Sequence, residues 1–325
     1  MSAVAKVQTP VERFFEINSL DLAQDAVSIQ TDGYQAHFKR SREAIDAAIA
    51  GLSGTALILG IGCGNDIPLA KLLSHFDRLI LVDVDFSSMR KWLEATDVSL
   101  QEKVQVELLD LTGVFLSFSE GVDRLAKKAL SYNEFIVAVL DLLKTLKPES
   151  VQFEKFRSSF VCSSLLCSQL SVTLEKYLTQ VCRQSYGKCL TLNKEQYKSF
   201  REWQLGIEIT HLNNLSKFVT SDGKIYFADH FSVKNVQLIH SATTESESVE
   251  STDFFYGVLK IQKVIQERFT VSTKNSWSWS IPGKTVTEYL ETEDQFGGVR
   301  LMPMNLMMRR DFQISSYTMA VNSKN

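Results

Sequence analysis

A glycine-rich run occurs early in the 325-residue chain. Residues 57–66 read LILGIGCGND, so Gly60, Gly62 and Gly64 recur at alternate positions directly after an apolar stretch. Glycine has no Cβ, so a ligand can lie against the backbone there and meet its free N–H groups. The run therefore predicts a ligand-binding turn, although a glycine turn with a purely steric purpose gives the same local pattern.

Two carboxylates follow the glycines at positions that suit an adenosine ligand. Asp83 ends the next apolar run about 20 residues on, where a carboxylate can accept hydrogen bonds from both ribose hydroxyls. Asp110 ends a third run, where its side chain can reach an adenine amino group. Asp85 competes with Asp83 for the ribose; the simpler interpretation of Asp85 is a cap for a helix that begins at Ser87.

These residues need a scaffold that brings the ends of several strands together. The predicted strands lie at 55–60, 78–83, 104–110, 159–163 and 224–229, with a final pair around 268–272 and 311–320. Helical segments separate them, and this alternation predicts right-handed βαβ units in a mainly parallel sheet. In such a sheet, ligands bind beyond the carboxyl ends of the strands, where the glycines and both carboxylates fall.

The succession LILGIGCGND, LILVDVD, VELLDLTG, SFVCSSLL and GKIYFADHF, within residues 55–232, resembles the motifs of class I S-adenosylmethionine-dependent methyltransferases. The resemblance implies a Rossmann-like, seven-stranded, mainly parallel sheet with a reversed last hairpin, and S-adenosyl-L-methionine as the cofactor. By position, it implies that the cofactor is bound by Gly60, Gly62 and Gly64 at its methionine part, Asp83 at the ribose, Asp110 and Leu111 at the adenine, and Cys162 and Ser163 after the fourth strand.

The residue after the last glycine separates this interpretation from a nucleotide-dependent oxidoreductase. A nicotinamide dinucleotide site favours a glycine at position 65, beside the helix N-terminus that holds the pyrophosphate. Here Asn65 and Asp66 would cap a helix well but would crowd a doubly charged phosphate. S-adenosylmethionine has no phosphate, so the objection does not apply to it.

The candidate for proton transfer is His230, which directly follows the fifth predicted strand. Methyl transfer from a sulfonium needs positioning above all and, for an alcohol or acid acceptor, removal of a proton. A loop histidine whose ring is satisfied by Asp229 is an equal alternative. The five cysteines form no CxxC pair and no zinc spacing with histidine, so we expect no metal.

The chain divides into a helical N-terminal arm or lid, residues 1–54, and a methyltransferase domain, residues 55–325. Three segments of that domain, at about 113–157, 182–205 and 273–310, are predicted to build a helical cap that decides the acceptor. The last of them gathers tryptophans and methionines with little regular period, which suits an adaptable apolar wall, core packing or an oligomer contact.

The helix predicted from Tyr34 to Leu52 lies where the resemblance places a lid over the cofactor. Tyr34 would cover the methionine part, and Arg40 or Arg42 would pair with its carboxylate. For either arginine taken singly, a solvated basic helix face is the simpler explanation.

Composition narrows the partners and the location. The chain is 44% hydrophobic and 22% charged, as in ordinary soluble proteins, and its net charge of −3 argues against a nucleic-acid partner. It has no signal-like start and no apolar stretch of roughly 18 residues, so we expect a cytoplasmic protein without a membrane partner.

Small-molecule O- or N-methylation is the first functional expectation. A protein side chain is the second acceptor class. A catalytically silent methyltransferase-like binding protein is an alternative of another kind.

Overall fold

Within the described residues, nine strands form one mixed sheet. The computed structural model describes residues 32–62, 64–84, 93–94, 97–148, 154–238, 246–247, 252–281, 285–293 and 299–322. The strands are β1 (Thr55–Leu59), β2 (Arg78–Asp83), β3 (Val104–Leu108), β4 (Ser158–Ser164), β5 (Val219–Leu238), β6 (Ser246–Glu247), β7 (Phe269–Ile281), β8 (Thr285–Glu293) and β9 (Val299–Val321).

Helices precede the sheet and connect its strands. They are α1 (Asp32–Ala48), α2 (Leu69–His75), α3 (Val98–Gln101), α4 (Phe115–Ala126), α5 (Tyr132–Thr145), α6 (Cys167–Tyr186), α7 (Lys194–Phe218) and α8 (Thr252–Arg268), with a 3₁₀ turn at Glu154–Phe156. The predicted arm before residue 32, Asp85 and most of the helix predicted after Ser87 lie outside the described residues. Among the described helices, none is both long enough and apolar enough to cross a membrane.

The strand order is β3-β2-β1-β4-β5-β9-β7, with β6 and β8 added at the margins. Neighbouring strands from β3 to β5 run parallel, whereas β9 lies antiparallel between β5 and β7. The predicted mainly parallel sheet with a reversed last hairpin is therefore confirmed.

Both faces of the sheet are buried, which is why β1 is apolar at successive positions. Leu57 and Leu59 pack in a core with α4 to α8. Ala56 and Ile58 pack in a second core with α1 and α2. We call these the α6 face and the α1 face.

The last hairpin is much longer than the sequence predicted. Strands were expected only around 268–272 and 311–320, with a cap of little regular structure between them. Instead β7 and then β8 pair with β9, from Phe269 opposite Val321 to Glu293 opposite Val299. Much of the segment 273–310 is thus strand, because pairing with distant β5 and β7 outweighs its weak local pattern.

Helix α7 corrects the interpretation of the second cap segment. The polar stretch at 184–203 was not predicted to be helical, and the following helix was expected to start at Gln204. The helix in fact begins at Lys194, where Asn193 and Gln196 form a reciprocal capping box. Such an Asn-x-x-Gln pair satisfies two backbone N–H groups at a helix start, and it is a signal that the sequence analysis overlooked.

Candidate active site

The glycine loop after β1 is built from glycines with different roles. Gly60 has φ +65°, and a Cβ there would lie 2.5 Å from Cδ1 of Leu166, which follows β4. Gly62 has φ +47°, and a Cβ there would meet nothing within 4 Å. Gly64 is also left-handed, with φ +67°. Gly60 is therefore needed for close packing of the loop against the chain after β4, whereas Gly62 borders open space.

Asp83 ties this loop to the end of β2. Its Oδ2 accepts a hydrogen bond from the backbone N–H of Gly62 at 2.8 Å, and its Oδ1 accepts from Val84 N–H at 2.7 Å. A carboxylate has about four acceptor positions, so Asp83 can bind several donors at once. The structure thus brings the predicted glycine loop and the predicted ribose ligand together.

Asp110 closes the turn that leads into α4. Its Oδ1 accepts from the backbone N–H and the hydroxyl of Thr112, at 2.9 and 2.6 Å, and its Oδ2 accepts from Phe115 N–H at 2.8 Å. Leu111 is largely buried on the α6 face. Contact of Asp110 and Leu111 with adenine stays a prediction, and the structure gives Asp110 a clear local role as well.

A carboxylate that the sequence analysis treated as a helix cap lies between the glycine loop and β4. Asp66 Oδ2 accepts a hydrogen bond from the hydroxyl of Ser164 at 2.6 Å. Burial raises the pKa of Asp66, against the lowering effects of the Ser164 bond and of nearby Arg42. This carboxyl therefore sits where removal from water disfavours its charge.

Helix α1 reaches the same loop through one arginine. The guanidinium of Arg42 donates to the backbone carbonyl of Asn65. Arg40, the other arginine considered for the cofactor carboxylate, is exposed on the helix, as Arg42 is. The contact therefore selects Arg42 as the α1 arginine beside the glycine loop, and the prediction for Arg40 has no comparable support.

Cys162 and Ser163 lie inside β4 rather than after it. Both have no exposed surface; Cys162 packs on the α1 face, and Ser163 Oγ lies 2.9 Å from Nε2 of His211 on α7. Burial lowers the pKa of His211 to about 4. Their predicted contact with the methyl donor is not favoured by this placement, because β4 continues to Ser164.

Asp229 and His230 lie within β5, just beyond Ala228, which pairs with the last residue of β4. The prediction that His230 follows the fifth strand is therefore wrong, because pairing with β9 continues β5 to Leu238. The two neighbours face opposite sides of the sheet. Asp229 faces α6, where its oxygens accept from the backbone N–H and hydroxyl of Ser168 at 2.9 and 2.6 Å. His230 faces the opposite way, as successive strand residues do. The ring Nδ1 of His230 is 3.8 Å from Asp229 Oδ1, beyond hydrogen-bond distance. The alternative in which Asp229 satisfies the His230 ring is therefore not favoured.

Burial shifts the acid–base behaviour of both residues. It lowers the pKa of His230 to about 4 and raises the pKa of Asp229 to about 6, against the lowering effect of the Ser168 bond. At neutral pH His230 is an uncharged imidazole, which is the form that can accept a proton.

Helix α1 also reaches the carboxyl end of the sheet. The indole Nε1–H of Trp277, on β7, donates to Nδ1 of His37 at 2.9 Å. Tyr34 lies nearly one turn earlier on α1, half-buried, with its ring 5.8 Å from that of Phe38. The predicted lid helix is therefore packed on the sheet at the level of the strand ends.

The strand order, with the glycine loop and Asp83 meeting at the carboxyl ends of β1 and β2, decides the fold. It is the class I methyltransferase fold. This identification rests on the topology of the chain itself.

No protein-family model and no curated protein sequence matches the chain. Among solved structures, it is similar to the N-methyltransferase NodS from Bradyrhizobium japonicum WM9, with 8% identity over 87% of this chain and 95% of the other and a TM-score of 0.37. It is also similar to the glycopeptide N-methyltransferase MtfA in complex with S-adenosyl-L-methionine, with 9% identity over 85% and 93% of the two chains and a TM-score of 0.35. Likeness at this level says nothing about the substrate of this chain.

Within this methyltransferase fold, the sequence analysis missed the contacts between distant segments. The bonds from Ser164 to Asp66 and from Trp277 to His37 span 98 and 240 residues. The available signals were only residue types, namely a carboxylate after the glycines and a histidine on the predicted lid helix.

Proposed function

We propose that the chain is an S-adenosylmethionine-dependent methyltransferase that methylates an oxygen or nitrogen of a small molecule. The observation that carries the proposal is the closure of the glycine loop on Asp83 beside the open space at Gly62. A left-handed glycine next to a carboxylate suits a ribose that lies against the backbone, because the glycine leaves room for the ligand and a carboxylate can accept several hydrogen bonds.

The donor groups around the loop fit the parts of this cofactor. Asp83 would accept hydrogen bonds from the ribose hydroxyls, and Asp110 with Leu111 would lie by the adenine. The methionine part carries an ammonium and a carboxylate, and Asp66 and Arg42, which lie near each other just after the loop glycines, would offer the opposite charges. The bound cofactor would supply an already activated methyl group.

His230 is our candidate for removing a proton from the acceptor. It lies on β5 at the level where β4 ends, is uncharged at neutral pH and is not hydrogen-bonded through its Nδ1 to Asp229. A base of low pKa removes the acceptor's proton only to a small extent before the reaction. It would take that proton during methyl transfer, because the acceptor group becomes more acidic as its electrons form the bond to the methyl group.

Binding of S-adenosylhomocysteine tests the cofactor assignment directly. We expect this ligand, measured by calorimetry and by thermal shift, to bind and to raise the melting temperature, since a ligand of the native state stabilises it by mass action. NAD serves as the control and should cause no shift. Absence of any effect at millimolar S-adenosylhomocysteine would contradict the assignment.

The acceptor needs a second experiment with a labelled methyl donor. We expect label to pass to a hydroxyl- or amine-bearing small molecule from a chemically diverse panel. Transfer to peptides alone would move the acceptor class to protein side chains. Ligand binding without any transfer to either class would favour a silent binding protein.

A further inference from the structure

The contact between His37 and Trp277 fixes the protonation state of a buried imidazole. The side chains are 240 residues apart in sequence, and the two residues are only 2% and 6% exposed. An indole N–H can only donate, so Nδ1 of His37 must be the acceptor. The contact therefore requires a neutral His37 ring that carries its proton on Nε2.

A second histidine stands beside this pair. His230 of β5 and Trp277 of β7 both lie opposite Ile314 of β9, so the three residues form one row across the α1 face. Burial, with a smaller contribution from the nearby His230, lowers the pKa of His37 to about 4. A proton on His37 would thus break the Trp277 bond and place a cation next to another imidazole.

The described groups nearest His37 on α1, β5 and β7 are polar or aromatic, and the charged ones on α1 point to solvent. The next turn of α1 places Ser41 beside the buried hydroxyl of Tyr226 on β5, whose pKa burial raises. On β7, the facing residue is the uncharged Trp277 itself. On α1, the neighbouring Lys39 and Arg40 are exposed to solvent.

The other half of α1 is held by different contacts. Asp46 pairs with Lys71 of α2 at 2.5 Å, and Lys224 of β5 donates to the carbonyl of Ala50 at 2.9 Å. These bonds fix the carboxyl end of the helix to the base of the sheet. The His37 contact lies at the opposite end, near Tyr34 and the crevice.

We propose that His37 and Trp277 are positioning residues whose hydrogen bond latches the amino-terminal half of α1 onto β7, beside the row formed by His230, Ile314 and Trp277. The latch orders α1, whose Arg42 contacts the glycine loop at Asn65, and it closes only while His37 is neutral. Its effect on ligand affinity rests on the proposed function, because the cofactor is the ligand that α1 would cover.

The latch itself can be tested without ligand. In protein labelled with ¹⁵N-histidine, we expect His37 to show an unprotonated Nδ1 and a protonated Nε2 at neutral pH, and to titrate below pH 5. Trp277→Phe keeps an aromatic ring but removes the donor, so it should remove this tautomer preference and speed trypsin cleavage after Arg40. Lys39→Ala, an exposed neighbour, should leave both readings as in the wild type.

Affinity for S-adenosylhomocysteine then tests the positioning role. Trp277→Phe and His37→Phe should each weaken binding about tenfold, the usual worth of one sheltered hydrogen bond. His37→Asn places an amide oxygen near the position of Nδ1, so it should keep affinity within about threefold of the wild type. Lys39→Ala is again the control.

The outcomes separate the two hypotheses. A wild-type protein that shows the His37 tautomer but fails to bind S-adenosylhomocysteine would overturn the proposed function and leave the latch standing. Trp277→Phe with wild-type tautomer, cleavage rate and affinity would overturn the latch. If Trp277→Phe does not fold, the difference between His37→Asn and His37→Phe decides, and equal affinities would overturn the proposal.

Discussion

The glycine loop and the His37–Trp277 contact are formed by residues at very different separations along the chain. Gly62 and Asp83 are 21 residues apart, within one βαβ unit, whereas His37 and Trp277 are 240 residues apart. Consecutive parallel strands bring their ends together by short right-handed connections. The first region can therefore be recognised in the sequence as a motif, whereas the second forms only when the strands of the reversed hairpin have paired.

The two regions also differ in charge. At the glycine loop, a carboxylate accepts backbone N–H groups, as Asp83 does from Gly62. Around the His37–Trp277 contact, burial lowers the pKa of both His37 and His230 to about 4, so the imidazoles there are neutral at pH 7. The first region is suited to holding a polar ligand, and the second to taking up a proton or to sensing one.

The largest expected effect concerns His230 and tests whether this residue takes up a proton during the reaction. If His230 accepts the acceptor's proton in the transition state, His230→Ala should lower turnover by about 10²–10⁴-fold, the usual worth of general base catalysis. Its affinity for S-adenosylhomocysteine should barely change. Turnover is measured against pH with an acceptor from the labelled-methyl screen, beside a melting curve for each protein.

The pH profile adds a second reading for the same residue. Because the pKa of His230 lies at about 4, protonation of His230 should not lower wild-type turnover between pH 5.5 and 8. Turnover should fall for this reason only in stronger acid. Unchanged turnover in a well-folded His230→Ala protein would leave proximity as the source of catalysis and remove the base from the mechanism.

The acid stability of the fold gives the next largest effect. Burial lowers the pKa of His37, His211 and His230 from 6.5 to about 4. As pH falls, these three histidines bind protons in the unfolded chain before they do so in the folded chain. The contribution of their neutral rings to the free energy of unfolding is therefore complete above pH 6.5 and is lost as pH falls toward 4. Asp229, whose pKa is raised to about 6, binds a proton in the folded chain before it does so in the unfolded chain. It therefore offsets part of this loss between pH 6 and 4.

We therefore expect a net fall in unfolding free energy from pH 7 to 4.5, of up to about 3 kcal/mol for each histidine. Urea unfolding at several pH values measures it. His211→Asn, on the α6 face, should flatten the curve by about one histidine's share. A stability that stays constant across this range would mean that the three rings are not held neutral.

What the sequence predicts follows the same division between local and distant contacts. Strands β1 and β2 are runs of apolar residues because both of their faces are buried, and their predicted bounds agree with the structure to within one residue. The loop glycines and Asp83 follow from those strand ends. The choice of Arg42 over Arg40 did not follow, because both arginines suit a basic helix face equally.

The carboxyl-terminal part was less predictable for a physical reason. The pairing of β9 with β5 and β7 stabilises strands in a methionine-rich segment that has no alternating pattern of its own. The end of β4 was also placed too early, so Cys162 and Ser163 were expected in the crevice when they lie within the strand. Strand ends depend on neighbouring strands, which a local pattern does not contain.

Asp83 offers a sharper test of the glycine-loop region. Asp83→Ala should weaken S-adenosylhomocysteine binding by roughly 1.5–3 kcal/mol, the worth of charge-assisted hydrogen bonds in a sheltered site. Asp85→Ala is the matched control and should lose much less. Calorimetry that found the greater loss in Asp85→Ala would assign the ribose to Asp85 instead.

The smallest expected effects distinguish the two loop glycines from each other. At Gly60, an alanine would adopt φ +65° and place its Cβ 2.5 Å from Leu166 Cδ1, so it should destabilise the fold by about 1–3 kcal/mol through overpacking. At Gly62, the Cβ meets no atom within 4 Å, so only the left-handed backbone is penalised, by about 1 kcal/mol. Gly62→Ala should instead weaken S-adenosylhomocysteine binding, because its methyl group enters the space beside Asp83.

Urea unfolding and calorimetry measure the two quantities separately. Leu166→Ala should recover part of the stability that Gly60→Ala loses and none of the affinity that Gly62→Ala loses, as a double-mutant cycle would show. A Gly62→Ala protein with wild-type affinity would place the ligand elsewhere along the strand ends.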